Sequence, residues 1–159
     1  MFHAKVRLLI VDDDPLIRTS MTHLFTELGY SVRSAEDGFS ALRHIRSELP
    51  EIILSDLNMP GMSGFELLSV VRRQFPAIHT IAMSGAFSGI EIPPGVEADA
   101  FYEKGSGMGA LLQLLSTPPK MNRPAPQPSL MREIASIRYN GSAGSRPSQL
   151  PEESSGFSA

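Results

Sequence analysis

The sequence predicts an α/β fold, a doubly wound five-stranded parallel sheet with helices on both faces. Two observations predict it. Short apolar runs bounded by turn residues alternate with segments whose apolar residues recur at the 3.6-residue helical period. Acidic, hydroxyl and lysine residues also recur where the apolar runs end. Right-handed crossovers would bring all of those ends to one edge of the sheet, where α/β proteins hold ligands.

The first strand is expected from Val6 to Val11. Asp14 followed by Pro15 reads as a helix N-cap with proline at the first helical position. Leu16, Ile17, Met21, Leu24, Phe25 and Leu28 then keep the helical period, and Gly29 supplies the stop. Ser31 to Ala35 is a more polar strand, as an edge strand would be. Phe39, Leu42, Ile45 and Leu49 mark a second helix closed by Pro50, and Ile52 to Leu54 a brief third strand. Phe65, Leu68, Val71 and Phe75 mark a third helix closed by Pro76, with Arg72 and Arg73 as its solvated, dipole-favoured end. Strands from Ile78 to Met83 and from Ala100 to Tyr102 follow. Leu111, Leu112, Leu114 and Leu115 make a last short helix.

One crossover breaks the pattern. Residues 85 to 98 hold three glycines and a Pro-Pro pair, which predicts a loop with at most one or two turns near Phe87 to Ile90.

Composition narrows the class. The chain has 159 residues, 42% hydrophobic and 19% charged, with a formal net charge of −3. Neither a nucleic-acid nor a membrane surface is implied. There is no cysteine, so no disulfide and no thiolate metal site. The N-terminal apolar run is too short for a signal segment or a membrane span, which predicts a cytoplasmic protein. Residues 1–117 hold 9 Lys/Arg against 14 Asp/Glu, and residues 118–159 hold 5 against 3 with seven prolines. A folded domain over 1–117 and a Pro/Ser-rich, disordered tail over 118–159 are therefore expected. Within the tail, Leu130, Ile134 and Ile137 share one helical face, but so short a helix is marginal alone.

Asp12 and Asp13, Asp56, Ser84 and Lys104 each stand at or just past a strand end. Three carboxylates in one crevice need a cation to be ionised together at neutral pH. Oxygen ligands without His or Cys favour Mg2+ or Mn2+ over zinc. A hydroxyl from Ser84 and an ammonium from Lys104 suit the oxygens of a phosphoryl group carried by a nucleophilic carboxylate. The expected chemistry is phosphoryl transfer to aspartate.

Four segments, Leu8 to Asp14, Ile53 to Gly61, Ala82 to Ser84 and Phe101 to Lys104, together resemble the receiver domains of two-component response regulators. The resemblance covers about residues 5 to 115. It implies a flavodoxin-like sheet of order 2-1-3-4-5. It also implies Asp56 as phosphoacceptor, and Asp12, Asp13, Asp56 and the backbone carbonyl of Asn58 as metal ligands. Ser84 and Lys104 would bind the phosphoryl group, Ser84 and Phe101 would form a switch, and Asn58 and Ala86 would tune dephosphorylation. Gly85 is the small residue bordering the site. Receivers usually carry proline after the lysine; here Gly105 follows, which predicts a trans peptide or a reshaped loop.

The resemblance implies a phosphodonor, either a sensor histidine kinase or a histidine phosphotransfer protein, and an unknown downstream protein. No direct DNA binding is expected, since the tail shows no helix-turn-helix pattern and only a small positive excess, and no membrane partner, since no apolar run is long enough for a span. Such a protein is not a turnover enzyme. Two other readings compete. Asp12-x-Asp14 after an apolar strand resembles the nucleophile motif of haloacid-dehalogenase-like phosphatases, and the missing proline would suit a degenerate receiver acting only by interaction.

Overall fold

The computed structural model describes residues 4–86 and 94–116. The chain divides into two units, Met1–Pro126 and Gln127–Ala159, and all described residues belong to the first. The Pro/Ser-rich segment from residue 118 lies outside the described residues, as do the turns expected near Phe87 to Ile90.

Five strands, β1 (Arg7–Val11), β2 (Ser31–Ala35), β3 (Ile52–Asp56), β4 (His79–Ser84) and β5 (Ala100–Glu103), form one sheet of order β2-β1-β3-β4-β5. Every neighbouring pair is parallel. Of the four helices among the described residues, α1 (Pro15–Glu27), α2 (Gly38–Ser47) and α3 (Gly64–Gln74) connect successive strands from β1 to β4, and α4 (Met108–Ser116) follows β5. Among the described residues none links β4 to β5, in keeping with the glycines and prolines of that crossover.

Side-chain alternation sorts the sheet into two faces. Leu8, Ile10, Ile52, Leu54, Ile81, Met83 and Tyr102 form one buried cluster with Phe25 of α1 and with Leu111 and Leu115 of α4. The intervening residues Leu9, Ile53 and Ala82 are fully buried on the other face, against which α2 and α3 pack. β2, at one edge, is mostly polar and half exposed, whereas β3 and β4 are buried throughout. This fits the continuous apolar runs that a doubly covered sheet requires.

The caps confirm how the helices start and stop. The Asp14 carboxylate accepts the backbone N–H groups of Leu16 and Ile17, with Pro15 at N1. At the other end, Tyr30 N–H donates to Phe25 O and Gly29 N–H to Thr26 O, the Schellman pairing. The Phe25 and Tyr30 rings meet edge-on at 5.7 Å, closing the turn with an apolar contact. Gly29 adopts φ +93°, and a Cβ there would meet nothing within 4 Å. Gly29→Ala therefore isolates the conformational cost of the left-handed region. We expect about 1–2 kcal/mol of destabilisation in urea unfolding, and an unchanged midpoint would contradict the cap.

Two expectations about helix faces are corrected. Phe39, placed on the apolar stripe of α2, is 51% exposed; the buried stripe is Gly38, Ala41, Leu42 and Ile45. Gly38 and Ala41 let α2 settle close to its neighbours, and that choice of face turns Phe39 outward. On α1, Leu16 is 77% and Leu28 48% exposed, because Phe25 alone of that stripe is fully buried. Arg72 is not merely solvated either: its guanidinium lies 3.5 Å from the Asp99 carboxylate.

Candidate functional site: an acidic crevice at the strand ends

Register alone brings the polar residues together. β1 and β3 pair Val11 with Ser55, so the next step sets Asp12 beside Asp56. β3 and β4 pair Asp56 with Met83, and β4 and β5 pair Ser84 with Glu103. Lys104 N–H donates to Ser84 O at 3.0 Å and Leu57 N–H to Met83 O at 3.0 Å, extending the ladder past the strand ends. The sequence expectation of one shared edge is met for Asp12, Asp13, Asp56, Ser84 and Lys104. Phe101 lies within β5, buried at 7% exposure and paired in register with Ala82.

The Asp12 and Asp56 carboxylates are buried, and Asp13 is exposed. Asp12 Oδ1 accepts the backbone N–H of Asp14 at 2.9 Å, and Asp12 N–H donates to Ala35 O. Its carbonyl accepts the guanidinium of Arg18 at 2.7 Å, a contact from the first turns of α1. Lys104 Nζ stands 2.9 Å from Asp12 Oδ2 and 3.3 Å from Asp56 Oδ1. On the other side of the crevice Ser84 Oγ accepts from Ala86 N–H at 3.0 Å and Asn58 Nδ2 at 3.3 Å. No acceptor is assigned to the Ser84 hydroxyl proton among the described residues.

Electrostatics follow from this packing. Burial pushes the Asp56 carboxyl above its ordinary 3.8; the Lys104 charge opposes that, and the Asp12 charge adds to it. For Lys104, burial works to lower the pKa, but hydrogen bonding and charge from Asp12 and Asp56 outweigh it and hold the ammonium above its ordinary 10.5. An acid with a raised folded pKa contributes stability that is full below its unfolded value and lost as pH rises through the folded one. In Mg2+-free buffer, the stability of Asp56→Asn relative to wild type should therefore increase as pH rises above 3.8. Parallel pH–stability curves for the two proteins would refute the shift.

The residues fit a hard divalent cation. One oxygen from each of Asp12, Asp13 and Asp56 lies within 4.8 Å of the others, and among the described residues no nitrogen or sulfur ligand joins them. Asp12 Oδ2 is buried, and among the described residues only the Lys104 ammonium, 2.9 Å away, is at hand to satisfy it. An oxygen-only set with an unfilled lone pair suits Mg2+ or Mn2+, which keep part of their own water shell.

Gly105 adopts φ +94°, a conformation proline cannot reach, and no cis peptide occurs among the described residues. The loop after Lys104 is thus built for glycine, yet Lys104 still reaches both carboxylates. Asp14, the second acid of the phosphatase-like motif, is engaged as the α1 cap. The Arg18 contact to the Asp12 carbonyl was not legible in the sequence, since no spacing rule marks an arginine that folds back on the preceding loop.

Comparison with known proteins agrees with this geometry. The regulatory protein GlrR of Escherichia coli (strain K12) is 32% identical over 130 residues, 79% of this chain and 29% of GlrR. The chain spans less than half the length of the curated relatives it matches. The chemotaxis protein CheY4 of Vibrio cholerae superposes with a TM-score of 0.61 at 30% identity, covering 70% of this chain and 97% of that one. The response regulator TrrA of Thermotoga maritima, solved in complex with Mg2+ and BeF, gives a TM-score of 0.64 at 28% identity over 70% of this chain and 96% of its own. TrrA has also been solved in complex with the histidine kinase ThkA. The profile of the response regulator receiver domain matches residues 8–115, and the chain belongs to that family.

Proposed function

We propose that this chain is a phosphoacceptor of a two-component phosphorelay, taking a phosphoryl group from a phosphohistidine onto Asp56. The observation that carries the reading is the convergence on one crevice of a buried carboxylate, a lysine 3.3 Å from it and a serine hydroxyl whose proton meets no acceptor among the described residues. The Asp12, Asp13 and Asp56 carboxylates and the Asn58 carbonyl would hold Mg2+ or Mn2+. When bound, the ion neutralises the carboxylates and stabilises charge on the phosphoryl oxygens.

The chain's own residues supply the rest. An Asp56 Oδ attacks phosphorus; the O–P bond forms, the N–P bond of the donor breaks, and its electron pair returns to the imidazole. Lys104 Nζ and the Ser84 hydroxyl donate to the transferred oxygens. Asn58, Gly85 and Ala86 are exposed, so water has an open approach to the acyl phosphate. Phe101 serves as the aromatic partner of Ser84 in the switch. The receiver occupies residues 1–117, works in the cytoplasm and passes its state on by protein contact. A histidine kinase or phosphotransfer protein is the donor; TrrA, a relative, is known in complex with a kinase.

The test is intact-mass measurement after incubation with Mg2+ and acetyl phosphate. Wild type should gain one phosphoryl group and Asp56→Asn none. Label on Asp12 with repeated release would instead mark a phosphatase. Absence of any adduct, even with a cognate phosphohistidine donor, would leave only an interaction module.

A further inference from the structure

A second polar cleft lies between α1, α2 and the edge strand β2. It has a volume of about 270 Å3 and is lined by Arg18, Ser34, Glu36, Ser40, Arg43 and His44. Its charge is opposite to that of the surrounding domain. Two guanidiniums face one carboxylate here, whereas residues 1–117 as a whole carry 9 Lys/Arg against 14 Asp/Glu. Arg7, Arg33, Arg72 and Lys104 are each engaged by a carboxylate. Arg18 and Arg43 form no ion pair among the described residues. Each makes one hydrogen bond, Arg18 to the Asp12 carbonyl at 2.7 Å and Arg43 to the buried Ser40 hydroxyl at 2.8 Å.

Those two bonds orient the guanidiniums and leave most of their five donors unspent. Ser34 and Ser40 add hydroxyls, and His44 a ring nitrogen. Two arginines with hydroxyl neighbours form a fork-shaped donor set that matches a planar or tetrahedral oxyanion. We propose that this cleft binds a small oxyanion, the phosphate or carboxylate group of an acidic metabolite, and that Arg18 links its occupancy to the acidic crevice.

The link is geometric. The same guanidinium that lines the cleft holds the Asp12 carbonyl, so an anion that immobilises Arg18 also holds the turn carrying Asp12 and Asp13. Binding in the cleft and cation binding at the crevice then favour one another. This coupling rests on the reading of Asp12 and Asp13 as cation ligands; the anion site itself does not.

The full chain, labelled with 15N, is titrated with sodium phosphate, sodium acetate and sodium chloride at matched ionic strength, first without Mg2+. Saturable shifts at Ser34, Ser40 and the Arg43 side chain are expected with phosphate or acetate and not with chloride. The better of the two identifies the group the cleft prefers. Arg43→Gln, a change at an exposed position, should weaken binding at least about fivefold with an unchanged melting temperature. With phosphate saturating, Mg2+ affinity should rise about threefold in wild type and not in Arg18→Gln. Equal shifts with chloride, shifts confined to Asp12, Ser84 and Lys104, or an unaltered response in Arg43→Gln would overturn the site. Failure of Mg2+ to bind at all would remove the cation reading while leaving the anion titration to stand or fall alone.

Discussion

Gly64→Ala should cost on the order of 3 kcal/mol and lower Tm by roughly 10 °C or more. Gly64 opens α3, and its N–H donates to Leu57 O at 3.0 Å. A Cβ at that position would collide with the carbonyl oxygen of Asp56 and lie 2.6 Å from the Leu57 Cα. Both obstacles are backbone, so no rotamer change relieves them. Either α3 backs away from the sheet, giving up the packing of Leu67, Leu68 and Val71, or the Asp56–Leu57 peptide moves. The second route displaces the proposed phosphoacceptor, and a misplacement of even part of an ångström should slow phosphorylation roughly tenfold or more. Gly61→Ala is the matched control. Gly61 has φ +77° with open space around it, so alanine there should cost only about 1–2 kcal/mol and leave Asp56 in place. A Gly64→Ala protein that melts within a degree or two of wild type would show that the approach of α3 to β3 is looser than described.

Gly64 also illustrates what was legible beforehand. Strand positions followed from apolar runs and turn residues because each strand needs only local chemistry to be recognised. The C-terminal ends of those strands then placed Asp12, Asp56, Ser84 and Lys104 on one edge without any contact information. What could not be read is set by packing across the chain. Whether Gly64 is an ordinary turn glycine or a steric necessity depends on how closely α3 meets Asp56. Whether Phe39 is core depends on which face of α2 is narrow enough to approach its neighbours. Arg72 looked like a solvated helix end, and nothing in the sequence marked Arg18; their partners, Asp99 and the Asp12 carbonyl, arrive from other elements. Periodicity reports that a helix has a face; it does not report what that face meets.

Replacing Lys104 by methionine should separate the structural from the chemical role of its ammonium. The Lys104 side chain is 23% exposed, while those of its partners Asp12 and Asp56 are 0% and 7% exposed. Methionine preserves much of the stem and removes the charge together with its hydrogen-bond donors. The two carboxylates then face each other without a counter-charge, and breaking such a pair costs about 3–5 kcal/mol when fully buried. Partial solvation of Lys104 reduces this to about 2 kcal/mol near neutral pH in the absence of Mg2+. The deficit should shrink as pH falls, because a proton taken up by Asp56 relieves the same repulsion. It should shrink further on adding Mg2+, which stabilises a native state that binds it by about 2.7 kcal/mol at a hundredfold excess over Kd. The cation should bind Lys104→Met more tightly than wild type, since no ammonium competes for the carboxylate oxygens. Phosphorylation should nevertheless be slower, because Nζ is then missing where the phosphoryl oxygens are proposed to sit. Tighter metal binding with weaker phosphoryl acceptance is a combination that a purely structural lysine would not produce, and equal stability of the two proteins without Mg2+ would rule out the ion pair as a support of the fold.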